Sequence, residues 1–183
     1  VPKRQNIKTI KPGEAMETMK PKTELYICFD TEDYTSSYAA DAIRDTARLL
    51  ESEGIRGNYM MVGLLAQQLV AWRRYDVLDA LKTHNVEFHS CSHSMHPTLI
   101  EYTDIKDFIE AYRRLLLEEG QGIGMVRAAT GRERIHAASP AGNSTCYAAM
   151  YVYYDLGMRV YCDTQVLSAE GRFVTPYETA DGH

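Results

Sequence analysis

His89-Ser90-Cys91-Ser92-His93-Ser94-Met95-His96-Pro97 holds half of the six histidines of this chain. His89 and His93 are four residues apart. In a helical turn that spacing puts both imidazoles on one face, their Cβ atoms about 6 Å apart. Two rings so placed can each offer one nitrogen to a divalent metal. His96 lies three residues beyond His93 and can share that face, so His93 with His96 is an alternative pair. Ser90 and Ser92 are small and polar and leave the site open to water. The competing reading is a polar turn that collects histidines by chance. A histidine pair fills only two metal positions, so a carboxylate from elsewhere is needed.

The sequence offers that carboxylate after its first strand-like run. Leu25-Tyr26-Ile27-Cys28-Phe29 is apolar and ends in Asp30-Thr31-Glu32-Asp33-Tyr34. Three acids at the end of a buried strand are costly to bury unpaired. An acid-rich turn or helix start is the plain alternative. The C-terminal end of a strand is also where α/β barrels carry their chemistry. The histidine stretch likewise follows a strand-like run, Val86-Glu87-Phe88.

Outward from these two stretches the chain alternates. Residues 1–22 carry Lys, Pro and Gly without periodicity and read as an arm or linker. Residues 38–53 are helical, with Ala39, Ala40, Ile43, Ala47 and Leu50 on one face and Gly54 as stop. Residues 56–62 read as a strand, and 64–70 and 73–82 as helical. After the histidines, 103–119 reads as a helix capped by Thr103 and stopped by Gly120, and 120–133 as a Gly- and Arg-rich loop. Residues 134–138 read as a strand, Ser139-Pro140-Ala141-Gly142 as a turn, 143–156 as a helix and 158–162 as a strand. Strand-helix alternation predicts a parallel sheet with helices outside, either a barrel or a doubly wound sheet. In both, Asp30, Glu32 or Asp33 can face His89 and His93.

Composition narrows the function. With 183 residues the chain is long enough for one domain with a real core. Apolar residues make up 45% and charged residues 25%, ordinary values for a globular protein. A net charge of −5 argues against a nucleic-acid partner, which calls for a basic face. No run approaches the ~20 apolar residues of a membrane-spanning helix. The chain starts at Val1 with no visible signal peptide, which says little about compartment. Cys28, Cys91, Cys146 and Cys162 form no C-x-x-C pair, so a cysteine zinc knuckle is not expected. Cys91, between two candidate ligands, is a weaker ligand candidate.

These stretches together resemble the polysaccharide deacetylase (NodB-homology) family of carbohydrate esterases. Phe29-Asp30-Thr31-Glu32-Asp33 resembles its first motif, an acidic pair after a hydrophobic strand. Gly54-Ile55-Arg56-Gly57-Asn58-Tyr59-Met60-Met61-Val62-Gly63 resembles its second strand. His89-Ser90-Cys91-Ser92-His93 matches its H-[ST]-x-x-H motif, and Ser139-Pro140-Ala141-Gly142 resembles its third. The likeness covers about residues 24–165. It implies a distorted (β/α) barrel over residues 23–183, either incomplete at its C-terminus as a piece of a longer enzyme or stripped of parts of the catalytic set, because a family barrel normally needs more chain. It also implies a divalent metal, zinc above all, held by an acid and two histidines. Asp30 is then the general base, Glu32 or Asp33 the third ligand, His89 and His93 the metal pair, and the Ala141 backbone N–H an oxyanion donor. The implied substrate is an N-acetylated carbohydrate, and the implied location extracellular or periplasmic.

The departures are specific. The family's third motif runs R-P-P-Y-G, and the places of its Arg and Tyr are here Ala138 and Ala141. Arg127, Arg132 and Arg134 are near in sequence. The family's closing Leu-His, which supplies the general acid, has no counterpart before His183, and Asp163 echoes the fourth motif weakly. A non-catalytic carbohydrate-binding relative is therefore a second expectation; thirteen tyrosines supply aromatic surface that could stack on sugars. A related hydrolase of a small amide, working in a narrow pocket, is a third.

Overall fold

The computed structural model describes residues 25–143 and 146–162. The expected arm over 1–22, Asp163 and His183 lie outside the described residues.

Five strands form one parallel sheet: β1 (Cys28–Thr31), β2 (Asn58–Val62), β3 (Asn85–Ser90), β4 (Ala137–Ala138) and β5 (Val160–Tyr161). Their spatial order is their order in the chain, β1-β2-β3-β4-β5. A doubly wound sheet reverses direction at a switch point; this sheet does not. Parallel crossovers are right-handed as a rule, so crossovers that all step in one direction put the helices on one side, as barrel winding does. Of the two architectures left open by periodicity, the barrel type is the one formed.

The helices are α1 (Ala39–Ser52), α2 (Gly63–Ala71), α3 (Tyr75–Ala80), α4 (Leu99–Thr103), α5 (Phe108–Thr130) and α6 (Tyr147–Asp155). The core lies between them and the sheet. Tyr59, Met61, Val86 and Phe88 of the strands meet Leu65, Leu69, Val77, Leu115, Val126 and Val152 of the helices, all essentially inaccessible to solvent. His84 belongs to this core. Its Nδ1 accepts from the Gly57 amide at 3.1 Å, and its Nε2–H faces the Ala47 carbonyl at 2.9 Å.

The expectations for residues 103–133 are corrected. The helix expected over 103–119 begins instead at Phe108, with the Asp107 side chain accepting from the Glu110 amide as cap. It does not stop at Gly120 but runs to Thr130, through the segment expected to be a loop, and ends at Gly131 with φ 69°. The glycines lie inside the helix because another backbone approaches there. A Cβ on Gly122 would sit 2.6 Å from Cys91 Cα, and one on Gly63 would sit 2.6 Å from Gly122 Cα. Glycine here permits close packing of α5 on α2 and on the chain after β3, at a modest cost in helix propensity. Thr103, expected as a cap, is the last residue of α4.

The described part of β4 is only two residues long and shares one register pair with β3, Phe88↔Ala138. The Glu87 carboxylate reinforces the joint. One of its oxygens accepts from the His136 and Ala137 amides, both at 2.8 Å.

Candidate metal centre

β1 is buried on one face only, so its side chains alternate. Thr31 turns inward and donates to the Met60 carbonyl at 2.7 Å. Asp30 points the other way and is exposed. The chain then leaves the strand, and Glu32 leans over the end of β3.

β3 carries a bulge at its end. Met61 pairs with Phe88 but Val62 pairs with Ser90, so His89 is the extra residue. Bulges re-aim side chains near functional sites, and this one aims His89. Its side chain is 5% exposed. Nδ1 lies 2.6 Å from the Ser139 carbonyl oxygen. A carbonyl only accepts, so Nδ1 carries the proton and the Nε2 lone pair is left free. Nε2 faces Glu32 Oε2 at 3.3 Å, and His93 Nε2 lies 2.8 Å from that same oxygen. His93 Nδ1 is 2.7 Å from the Ser94 hydroxyl.

One ligand atom each from Glu32, His89 and His93 falls within 4.8 Å of the other two. A His-His-carboxylate set suits a catalytic divalent cation, which keeps its fourth position for water or substrate. Ring nitrogens facing away from a metal usually donate to a carbonyl or similar group, and His89 does so. The residues present therefore fit a zinc-type ion. Asp30 Oδ1 stands beside the cluster, 3.8 Å from His89 Nδ1.

The expectation of a helical turn for the histidine pair is corrected. His89 ends a strand and His93 sits in the following loop with φ 56°, their ring centroids 5.4 Å apart. The i, i+4 spacing is met by a sharp fold instead. Ser90, fully buried, has φ 136°. Two non-glycine residues at positive φ cost of order 1–3 kcal/mol each and persist only when their surroundings over-determine them. Here the Ser90 hydroxyl accepts from the His93 amide at 3.1 Å. The Leu64 amide donates to the Cys91 carbonyl at 2.9 Å. Tyr34 donates its hydroxyl to the Ser92 carbonyl at 2.8 Å, tying the loop to the acidic stretch after β1.

Three other candidates stand apart. Asp33 folds back on its own turn: Oδ1 accepts from the Thr35 hydroxyl and amide and the Ser36 amide. The Thr35 hydroxyl, and then the Thr35 amide, hold its carboxyl below the usual range. The structure does not bring it to the cluster. His96 is exposed and bonds Glu101 at 2.7 Å, where Glu101 completes a capping box with Thr98. Cys91 turns into the helix packing beside Gly122, and burial pushes its thiol up to about 11. A thiol held protonated is a poor metal ligand.

Ala141 opens a short 3-10 turn, Ala141–Asn143, two residues beyond Ser139. It is buried, as is Ala138 at the end of β4. Of the supporting residues, Tyr34 and Ser139 stand within the quoted motif stretches but with no role that the sequence assigns, and Glu119 stands outside them. Only Glu119 carries a legible signal, an acid in the series Ala111, Leu115, Glu119, Ile123 whose other members are apolar.

No family model matches the chain, and no curated protein matches it. The fold does have counterparts among solved structures. A mutant of a CE4 family pseudoenzyme with restored enzymatic activity superposes with a TM-score of 0.55 at 14% identity, over 75% of this chain and 43% of that one. A family 4 carbohydrate esterase from Bacillus anthracis gives 0.51 at 19% identity, over 75% and 57%. A family 4 carbohydrate esterase from Streptomyces lividans, in complex with acetate, gives 0.52 at 20% identity, over 74% and 60%. The α/β fold is therefore that of the family 4 carbohydrate esterases and polysaccharide deacetylases, as the motifs led one to expect. The chain spans less than two thirds of the length of each of these structures. No helix among the described residues is long and apolar enough to cross a membrane.

Proposed function

We propose that this chain is a metal-dependent hydrolase that removes N-acetyl or O-acetyl groups from a carbohydrate, such as a chitin- or peptidoglycan-like polymer. The observation that carries this reading is the meeting of Glu32 Oε2 with the Nε2 atoms of His89 and His93 beside Asp30. The likeness of the fold to carbohydrate esterases supports the substrate class.

In this reading Glu32, His89 and His93 hold the cation. Zinc, borderline-soft and content with two imidazoles and a carboxylate, suits that set best. A cation there supplies Lewis-acid polarisation of the acyl carbonyl. The remaining work falls to the chain. Asp30 takes the proton of the attacking water as its oxygen bonds to the acyl carbon. The Ala141 amide donates to the oxygen that becomes negative. Breaking the carbon–nitrogen bond leaves acetate and a sugar amine, which takes up one proton. His89 keeps its orientation through Ser139 throughout. Asp30 and Glu32 are both exposed among the described residues, which suits a polymer better than a small amide in a closed pocket.

The test is acetate release from chito-oligosaccharides by zinc-loaded protein and by Asp30→Asn. Loss of a general base should lower the rate by about 10²–10⁴-fold with zinc content unchanged. An unchanged rate would remove Asp30 from the mechanism.

A second reading is a carbohydrate-binding relative without turnover. Ala138 and Ala141 stand where the family pattern has Arg and Tyr, and both are buried, so no polar side chain reaches the site from there. Zinc-loaded protein that binds chito-oligosaccharide but releases no acetate would decide for it.

A further inference from the structure

We propose that Glu119 is a positioning residue for the histidine pair, acting through the Cys91 amide. The inference rests on the reading of Glu32, His89 and His93 as a cation site.

Cys91 is the midpoint of the fold-back, two residues from each histidine. Its backbone is gripped from both sides. The carbonyl accepts from the Leu64 amide at the start of α2. The amide donates to Glu119 Oε1 of α5 at 3.2 Å. The same oxygen accepts from the Tyr102 hydroxyl of α4 at 2.8 Å, and Oε2 accepts from the Tyr153 hydroxyl of α6 at 2.6 Å. Glu119 is completely buried. It therefore joins three helices to one peptide group of the ligand loop.

A buried carboxyl is costly, and replacement of such groups by apolar side chains is often neutral or stabilising. Glu119 occupies the buried stripe of α5 with Leu115, Gly122, Ile123 and Val126, where leucine is the ordinary choice. Of its three donors, the two hydroxyls would vanish with a change of Tyr to Phe. The Cys91 amide cannot be removed by any substitution short of proline, and a buried amide needs an acceptor. That amide is the one partner that calls for an oxygen at this point of α5. The two tyrosines then orient the carboxyl onto it. Burial raises the Glu119 acid above its usual range, the hydroxyls and amide opposing.

The experiment compares wild type, His89→Ala and the triple variant Tyr102→Phe/Glu119→Leu/Tyr153→Phe, which leaves no stranded hydroxyl. Each is titrated with Co2+, and the visible band and affinity are read together with the thermal midpoint. The triple variant strands the Cys91 amide, so it is expected to melt below wild type but stay folded at the assay temperature, and to bind Co2+ about 10–100-fold more weakly, with a shifted band. Glu119→Gln, which keeps an acceptor for the amide, is expected to restore most of the affinity. Wild-type affinity and band in a folded triple variant would overturn the role of Glu119 while leaving the cation site standing. Absence of Co2+ binding by wild type would overturn both. A second measurement needs no variant. Hydrogen exchange at the Cys91 amide in metal-free wild type is expected to be as slow as in β3, and exchange at loop rates would end the proposal.

Discussion

His89 Nδ1 lies 2.6 Å from the carbonyl oxygen of Ser139, a hydrogen bond from the end of β3 to the end of β4. Because the acceptor is a backbone carbonyl, it fixes the tautomer of the imidazole, and with it the direction of the free lone pair. His96, by contrast, bonds Glu101 on the surface. The two histidines should therefore differ sharply. His89→Ala should weaken zinc binding by more than about 100-fold, beyond what loss of a supporting group costs. His96→Ala, a surface change, should alter it by no more than about twofold. Zinc titration against a competing chelator measures both. A larger loss for His96→Ala than for His89→Ala would mean that the pair is His93 and His96.

The glycines of α5 should respond in opposite directions. Alanine at Gly122 would press its Cβ on Cys91 Cα at 2.6 Å and on Phe88 Cζ at 2.9 Å. Overpacking of this kind costs about 1–3 kcal/mol, more than the ~1 kcal/mol gained in helix propensity. Gly124 has open space where a Cβ would go. Gly124→Ala should therefore stabilise by about 0.5–1 kcal/mol. Urea unfolding of the two variants checks the sign of each, and a stabilised Gly122→Ala would mean that α5 is free to shift.

Tyr34→Phe deletes the hydroxyl that spans from the acidic stretch to the Ser92 carbonyl. Stability should fall by about 0.5–1.5 kcal/mol, the usual net value of a hydrogen bond. Zinc affinity should fall as well, by up to about tenfold, because the two ligand loops lose a tie. Calorimetry and zinc titration separate the two effects.

Asp76 predicts a pH dependence away from the site. The Arg74 guanidinium, and after it Arg44, hold its carboxyl well below the usual range. A lowered folded-state value means stability that is present above the ordinary pKa and is lost as pH falls through the lowered one. The side chain is 38% exposed, so solvent screening limits the contribution to about 0.5–1 kcal/mol. Asp76→Asn should be less stable than wild type at neutral pH, with a gap that narrows between about pH 5 and about pH 2. Urea melts across that range test it, and a gap that widens on acidification would refute the assignment.

Much of the fold was legible because it rests on local periodicity. The apolar series in α1 and the Gly54 stop place that helix to within a residue or two of Ala39–Ser52. The apolar runs 25–29 and 86–88 mark two strands, but the strands reach into the motifs: β1 runs Cys28–Thr31 and takes in Asp30, and β3 runs to Ser90 and takes in His89. α5 runs past the stop that Gly120 suggests, because glycine inside a helix looks the same in sequence as glycine at its end. Gly120, Gly122 and Gly124 look alike in sequence, yet only the arrival of Cys91 against Gly122 explains why a glycine sits at that point of the helix. The site was legible as a set of residue types. Its backbone was not, since the spacing of His89 and His93 suits a helical turn as well as a bulge followed by a fold-back.

The sequence by itself determined the strand-helix alternation, the acids at the end of the first strand and the histidine spacing, because each depends on neighbours only a few residues away. The tertiary structure decided which acid joins the histidines. Glu32 reaches them because β2 sets the separation of β1 and β3, whereas Asp33 is claimed by its own turn. It also decided which ring nitrogen is free, because Ser139 comes to His89 only once β4 has paired with β3. Contacts between residues fifty positions apart come from the winding of the sheet, and no local pattern encodes them.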